Sequence, residues 1–166
     1  MRTYTKILLI LAIIAISACQ EISNEAEKIT VADIMDNKVS GFNWFGFEYS
    51  DYNINSELVK QISEKYQQEL YKFIIFTTPT CSCGKEYRKF PQFVKILDSS
   101  NVNKDNYEIY SVGDINFSHP YENVFTLKAI PAFMILKNGV AIYSVNDTLL
   151  KYSSLSLEEA LLQGLK

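Results

Sequence analysis

Cys81-Ser82-Cys83 follows the apolar run Tyr71-Lys72-Phe73-Ile74-Ile75-Phe76 and the polar turn Thr77-Thr78-Pro79-Thr80. Two thiols one residue apart, delivered from the end of a buried strand into a turn, can pass between dithiol and disulfide. The same pair can chelate a soft metal ion. A disulfide across so short a loop removes little entropy from the unfolded chain, so the spacing favours chemistry over stapling. On a helix, side chains two residues apart diverge by about 200°, because a turn takes 3.6 residues. Cys81 therefore belongs to the turn, and Cys83 to the cap or first position of the helix that follows. A bridge between such neighbours is expected to be strained, which raises its reduction potential. The positive end of a helix beside it lowers a thiol pKa. Position on the turn favours Cys81 as the attacking sulfur and Cys83 as the resolving one.

The first residues indicate where this chemistry takes place. Arg2 and Lys6 precede a wholly apolar run from Ile7 to Ile16, and Ser17-Ala18 leads into Cys19. The run is too short to cross a bilayer as a mature helix and reads as an export signal. A cysteine after two small residues resembles the lipobox of bacterial lipoproteins. That resemblance implies cleavage before Cys19 and acylation of Cys19 by palmitate-type chains. The chain would then be anchored to the cell envelope, facing the periplasm or exterior, in an oxidising compartment. The expected organisation is a signal peptide over 1–18, a polar tether over 19–29 and one domain over 30–166, of which 30–55 is an N-terminal extension. Loss of Arg2 and Lys6 lowers the basic count from 16 to 14 against 19 acidic residues, a net of −5 in place of −3. No basic stripe remains, which excludes nucleic acid as an expected partner. With Cys19 taken by lipid, Cys81 and Cys83 are an isolated pair.

Around that pair the elements can be placed. Residues 29–55 are rich in aromatics (Phe42, Trp44, Phe45, Phe47, Tyr49, Tyr52), and Phe42 to Phe47 suggests a strand or hairpin broken near Gly46. The cluster reads as core or sheet-edge packing ahead of a partner surface. Asn55 or Ser56 caps a helix to about Glu69, with Leu58, Ile62 and Tyr66 at helical spacing. Tyr71–Thr77 is too continuously apolar for an edge strand and should be central. A helix from Cys83 or Gly84 to about Asp98 carries Tyr87, Phe90, Val94 and Leu97, with Pro91 inside it as a kink. Tyr107–Val112 is a further strand, 116–120 a loop and 121–127 a short helix. Asn138-Gly139 joins the runs 132–136 and 140–145 as a hairpin, and Ser156-Leu157-Glu158-Glu159 opens the last helix with a capping box.

In this order the chain resembles the thioredoxin family over about residues 56–166. The cysteine motif at a strand-to-helix junction, the segment Ala129-Ile130-Pro131-Ala132-Phe133-Met134-Ile135-Leu136-Lys137-Asn138-Gly139 and the terminal helix carry the likeness. The resemblance implies an α/β fold, with a thioredoxin-like central mixed sheet and helices on both faces, behind the aromatic extension. It implies a cis bond before Pro131, with Ile130 and Pro131 beside the cysteines and offering backbone to substrate. The motif departs from the family, which has two residues between its cysteines. Counting from Phe76 makes Cys81 the nucleophile, with Gly84 at the resolving position and Lys85 as the following basic residue. Counting back from Pro91 makes Cys83 the nucleophile, with Glu86 in place of the second thiol. Six residues before Cys81, where the family often buries an acid, stands Ile75. The missing proton acceptor suits an oxidant, an isomerase or a binding role better than a reductase, and Glu86 reads as a solvated surface residue.

The expected function is thiol–disulfide exchange on the thiols or disulfides of exported proteins, with a second partner recycling the pair. No organic cofactor is implied, because the dithiol carries the electrons. The alternative is a Cu(I) chaperone using Cys81, Cys83 and His119, the only histidine, since lipid- or membrane-anchored thioredoxin-like copper chaperones use two cysteines and a histidine. A redox-silent interaction module is the third reading.

Overall fold

A computed structural model describes residues 24–79 and 84–166. Cys19, Cys81, Cys83 and the signal segment lie outside the described residues. The elements are β1 (Glu27–Ile29), α1 (Val31–Met35), α2 (Phe45–Asp51), α3 (Ser56–Gln68), β2 (Tyr71–Thr77) and α4 (Lys85–Ser99). A single 3-10 turn (Lys104–Asn106) leads into β3 (Tyr107–Ser111), β4 (Ala132–Lys137), β5 (Val140–Ser144), α5 (Val145–Lys151) and α6 (Leu157–Gly164). The five strands form one mixed sheet in the order β1-β3-β2-β4-β5. Strand β2 lies at its centre, parallel to β3 and antiparallel to β4, as its unbroken apolar run requires.

Alternation along the strands separates two cores. Phe73 and Ile75 of β2, Ile109 of β3 and Phe133 and Ile135 of β4 face one side. There they meet Val59 and Ile62 of α3, Phe90, Phe93 and Leu97 of α4, and Leu157 and Leu161 of α6. Ile74, Phe76, Tyr110, Val112, Ala132 and Leu136 face the other side. No helix among the described residues covers that second side, in contrast to the expected two-sided arrangement. Its cover is the segment from Phe117 to Ile130. Tyr121–Leu127, expected as a short helix, forms turns and irregular chain instead. The reason lies in its rings: Tyr121 and Phe125 stack on each other at 5.9 Å and reach Tyr110 and Phe76 edge-on. Phe125 N–H still donates to Tyr121 C=O at 3.0 Å, but the packing of these rings on the sheet stops the chain from winding beyond that turn.

Local signals account for several boundaries. The Asn55 side chain accepts from the N–H groups of Glu57 and Leu58 and starts α3. Ser156 and Glu159 close the reciprocal capping box of α6. Asn138 and Gly139 both take positive φ, 53° and 80°, which a two-residue turn between twisted strands demands. Three expectations are corrected. Residues 27–29 are not tether but strand β1, antiparallel to β3, and Ala26 N–H already donates to Ser118 C=O at 2.8 Å. Phe45–Asp51 is a helix, not a strand or hairpin, because it packs Phe45 into the core against Phe90 with ring centroids 5.1 Å apart. Val145 ends no strand; it begins α5, a helix that the sequence reading does not place.

Candidate functional site

Strand β2 ends at Thr77, Pro79 is exposed on the turn, and α4 starts at Lys85 behind an extended Gly84 cap. Cys83, expected at the cap or first helical position, therefore precedes the cap by one residue in the chain. Gly84, having no side chain, supplies no cap acceptor to the first turn of α4. Pro91 lies buried within α4, as expected. Having no N–H, it cannot donate to the carbonyl of Tyr87.

The aromatic extension braces this helix. Phe42, Trp44 and Phe45 surround Phe90 with centroid distances of 6.1, 6.4 and 5.1 Å. Arg88 pairs with the nearly buried Glu48 at 3.1 Å, and Lys95 donates to the carbonyls of Ser50 and Tyr52. Asp98 accepts from the hydroxyls of Tyr49 and Tyr107. Burial, reinforced by Asp98, pushes the Tyr49 phenol up to about 12. The reading of 42–52 as core packing holds for Phe42 and Phe45, while Phe47 is 71% exposed. Gly41, at φ +86°, lies against Pro79 itself: a Cβ there would come within 2.6 Å of Pro79 Cβ and 3.0 Å of its carbonyl oxygen. The extension therefore touches the turn that leads to the cysteines.

On the other flank the Ile130–Pro131 bond is cis, as the resemblance implied. Ile130 and Pro131 line a cleft of about 590 Å³ together with Glu86 and Lys89 of α4, Leu149 of α5 and Leu155 of the following loop. Glu86 is exposed and pairs with Lys89 at 2.7 Å, in keeping with a solvated surface residue. Ile75 is fully buried and paired with Ile109 and Phe133, so no carboxylate occupies that point. Thr77, two residues further along and on the same face, carries a buried hydroxyl with no partner among the described residues. An isolated strand-end threonine gives no sequence signal for this.

His119 sits on the helix-free face. Its ring meets Phe76 at 4.8 Å and Phe125 at 5.6 Å, and Nδ1 accepts the Tyr121 N–H at 3.2 Å. Burial lowers its pKa, with Glu122 opposing. Helix α4 packs on the opposite face of β2, so the histidine and the helix that follows the thiols approach the strand from different sides. Among the described residues no group of three His, Cys, Asp or Glu side chains could hold a metal ion. Cys81 and Cys83 are not among those residues. Asn146, missed in the sequence because asparagine near a strand end reads as turn, bonds the backbone on both sides of Ala132. No protein-family model, curated protein or solved structure matches the chain.

Proposed function

We propose that the protein is an envelope thiol–disulfide oxidoreductase or isomerase of thioredoxin-like fold, acting on exported proteins through Cys81 and Cys83. One observation carries the reading. Ile130 and Pro131, to which the resemblance assigns the substrate, share a cleft with Glu86 and Lys89 in the first turns of α4, and that helix opens two residues after Cys83 in the chain. A client segment laid along Ile130-Pro131 is thus led to the helix terminus that favours a thiolate.

In the reaction the attacking thiolate, assigned to Cys81, displaces one sulfur of a client disulfide and forms a mixed disulfide. The displaced client sulfur leaves as a thiolate and takes a proton from solvent. Cys83, deprotonated, then attacks the Cys81 sulfur, closes the protein disulfide and frees the second client thiolate. Running the steps backward oxidises a client dithiol. Ile75 offers no buried base for the resolving proton, which favours oxidation or isomerisation over reduction. A lipid at Cys19 would hold the domain at the membrane, and a separate redox partner would reset the pair.

The test combines thiol counting with trapping. After equilibration with oxidised glutathione, differential alkylation and mass spectrometry should find Cys81 and Cys83 joined. A pair that stays reduced overturns the exchange reading. In cells, Cys83→Ser should accumulate mixed disulfides with exported clients while Cys81→Ser traps none; the reverse pattern moves attack to Cys83. His119→Ala should leave both unchanged. Tight Cu(I) binding that depends on His119, with no trapped clients, would instead establish metal carriage.

A further inference from the structure

The register of the β4–β5 hairpin breaks off at a revealing point. Met134 faces Ser144 and Ile135 faces Tyr143, so an unbroken antiparallel ladder would set Asn146 opposite Ala132. Strand β5 stops at Ser144, whose side chain accepts from Asp147 N–H at 3.2 Å and turns the chain into α5. The outer edge of β4 beyond Met134 thereby loses its neighbouring strand. Asn146 restores it with a side chain: Oδ1 accepts the Phe133 N–H at 2.8 Å, and Nδ2 donates to the Pro131 C=O at 2.7 Å. One carboxamide, carrying one acceptor and a donor pair, replaces the two backbone bonds of the missing strand.

We propose that Asn146 is a positioning residue that sets the register of the bound client, a role that rests on the exchange reading above. With Pro131 C=O and Phe133 N–H occupied, an extended peptide cannot pair at that stretch of β4. The open backbone of the loop is then that of Ile130, which makes no backbone hydrogen bond to another described residue. Asn146 lies at the junction of the cleft beside α4 and a second of about 440 Å³ lined by Phe125, Met134 and Leu150. Removing its amide frees the loop to move, so that a client must order the Ile130 backbone on binding and pays for it in affinity. The chemistry of the dithiol is untouched, because Asn146 meets no reacting atom in this scheme.

The experiment compares two disulfides on the full chain: an unstructured peptide disulfide, which needs the edge, and a small nitrobenzoate disulfide, which does not. Asn146→Ala should raise KM for the peptide about tenfold with kcat held within about twofold, the size expected for two lost hydrogen bonds. The rate with the small disulfide should stay within about twofold. Asn146→Asp has the same shape and keeps the acceptor for Phe133 but lacks the donor to Pro131. It should give a rise in peptide KM of about threefold, as for one lost bond. An unmoved peptide KM in both variants, or equal losses on both disulfides, overturns the proposal while leaving the exchange reading intact. A wild-type chain inert to both disulfides sinks the two together.

Discussion

Glu108 ties four partners together on the helix-free face. Its carboxylate is 15% exposed and lies 2.7 Å from Lys28 and 3.0 Å from Lys72. It also accepts from the hydroxyls of Tyr121 at 2.6 Å and Tyr110 at 2.9 Å. It so joins β1, β2, β3 and the covering segment at one point. Burial by itself would raise its pKa; the bonds from Lys28, Tyr121, Lys72 and Tyr110 outweigh burial and bring it down to about 2 from an ordinary 4.5. A carboxylate depressed on folding stabilises the fold fully above its unfolded pKa, and that contribution fades as pH falls through the folded value. Urea titrations should therefore show a loss of stability between about pH 4.5 and pH 2 in the wild type that Glu108→Gln flattens. Parallel slopes in the two proteins would mean that the cluster contributes nothing on folding. Sequence alone shows only a charged residue in the strand Tyr107–Ser111, because the four partners come from distant segments.

At the scale of elements, the signals that proved readable were local ones. The β2 run, the Asn55 cap, the Asn138-Gly139 turn and the Ser156 box each act within a few residues, and each stands where its chemistry demands. The extension reads as a strand because it combines aromatics with a glycine, while Phe42 and Phe45 in fact meet Phe90 and Tyr49 stacks on Phe45, along one face of a helical path. Its two glycines make opposite predictions. Gly41 has a positive φ and closes on Pro79, so Gly41→Ala should cost about 1–3 kcal/mol and alter cysteine reactivity through the turn. Gly46 lies in α2, where a Cβ would meet only the Met35 sulfur at 3.6 Å. Gly46→Ala should be neutral or add up to about 1 kcal/mol through helix propensity. Thermal melts rank the pair directly, and a more stable Gly41→Ala would refute the contact between the extension and the cysteine turn.

For the whole molecule, the sequence foretold an α/β sheet with β2 at its centre but not which faces its helices would cover, or that residues 27–29 join the sheet. Both depend on contacts across the chain: α1 to α6 all contribute to one core, and the first described residues are stitched to the covering segment. Asn24 C=O accepts from Ser118 N–H at 2.8 Å, five residues after Cys19. If Cys19 carries the lipid, five extended residues reach at most about 18 Å. Among the described residues no helix is long and apolar enough to cross a membrane. In this reading the short reach from the anchor sets the working distance. The cleft at Ile130-Pro131 would then meet clients only close to the bilayer. Inserting a flexible Gly/Ser segment of about 30 residues between positions 23 and 24 extends that reach by about 30 Å. The equilibrium of the Cys81–Cys83 couple with glutathione should not change, because neither the strand end nor α4 is touched. The clients trapped by Cys83→Ser should change, gaining proteins whose disulfides lie farther from the membrane. An identical client set with short and long tethers would show that recognition at the cleft, and not distance from the membrane, selects the substrate.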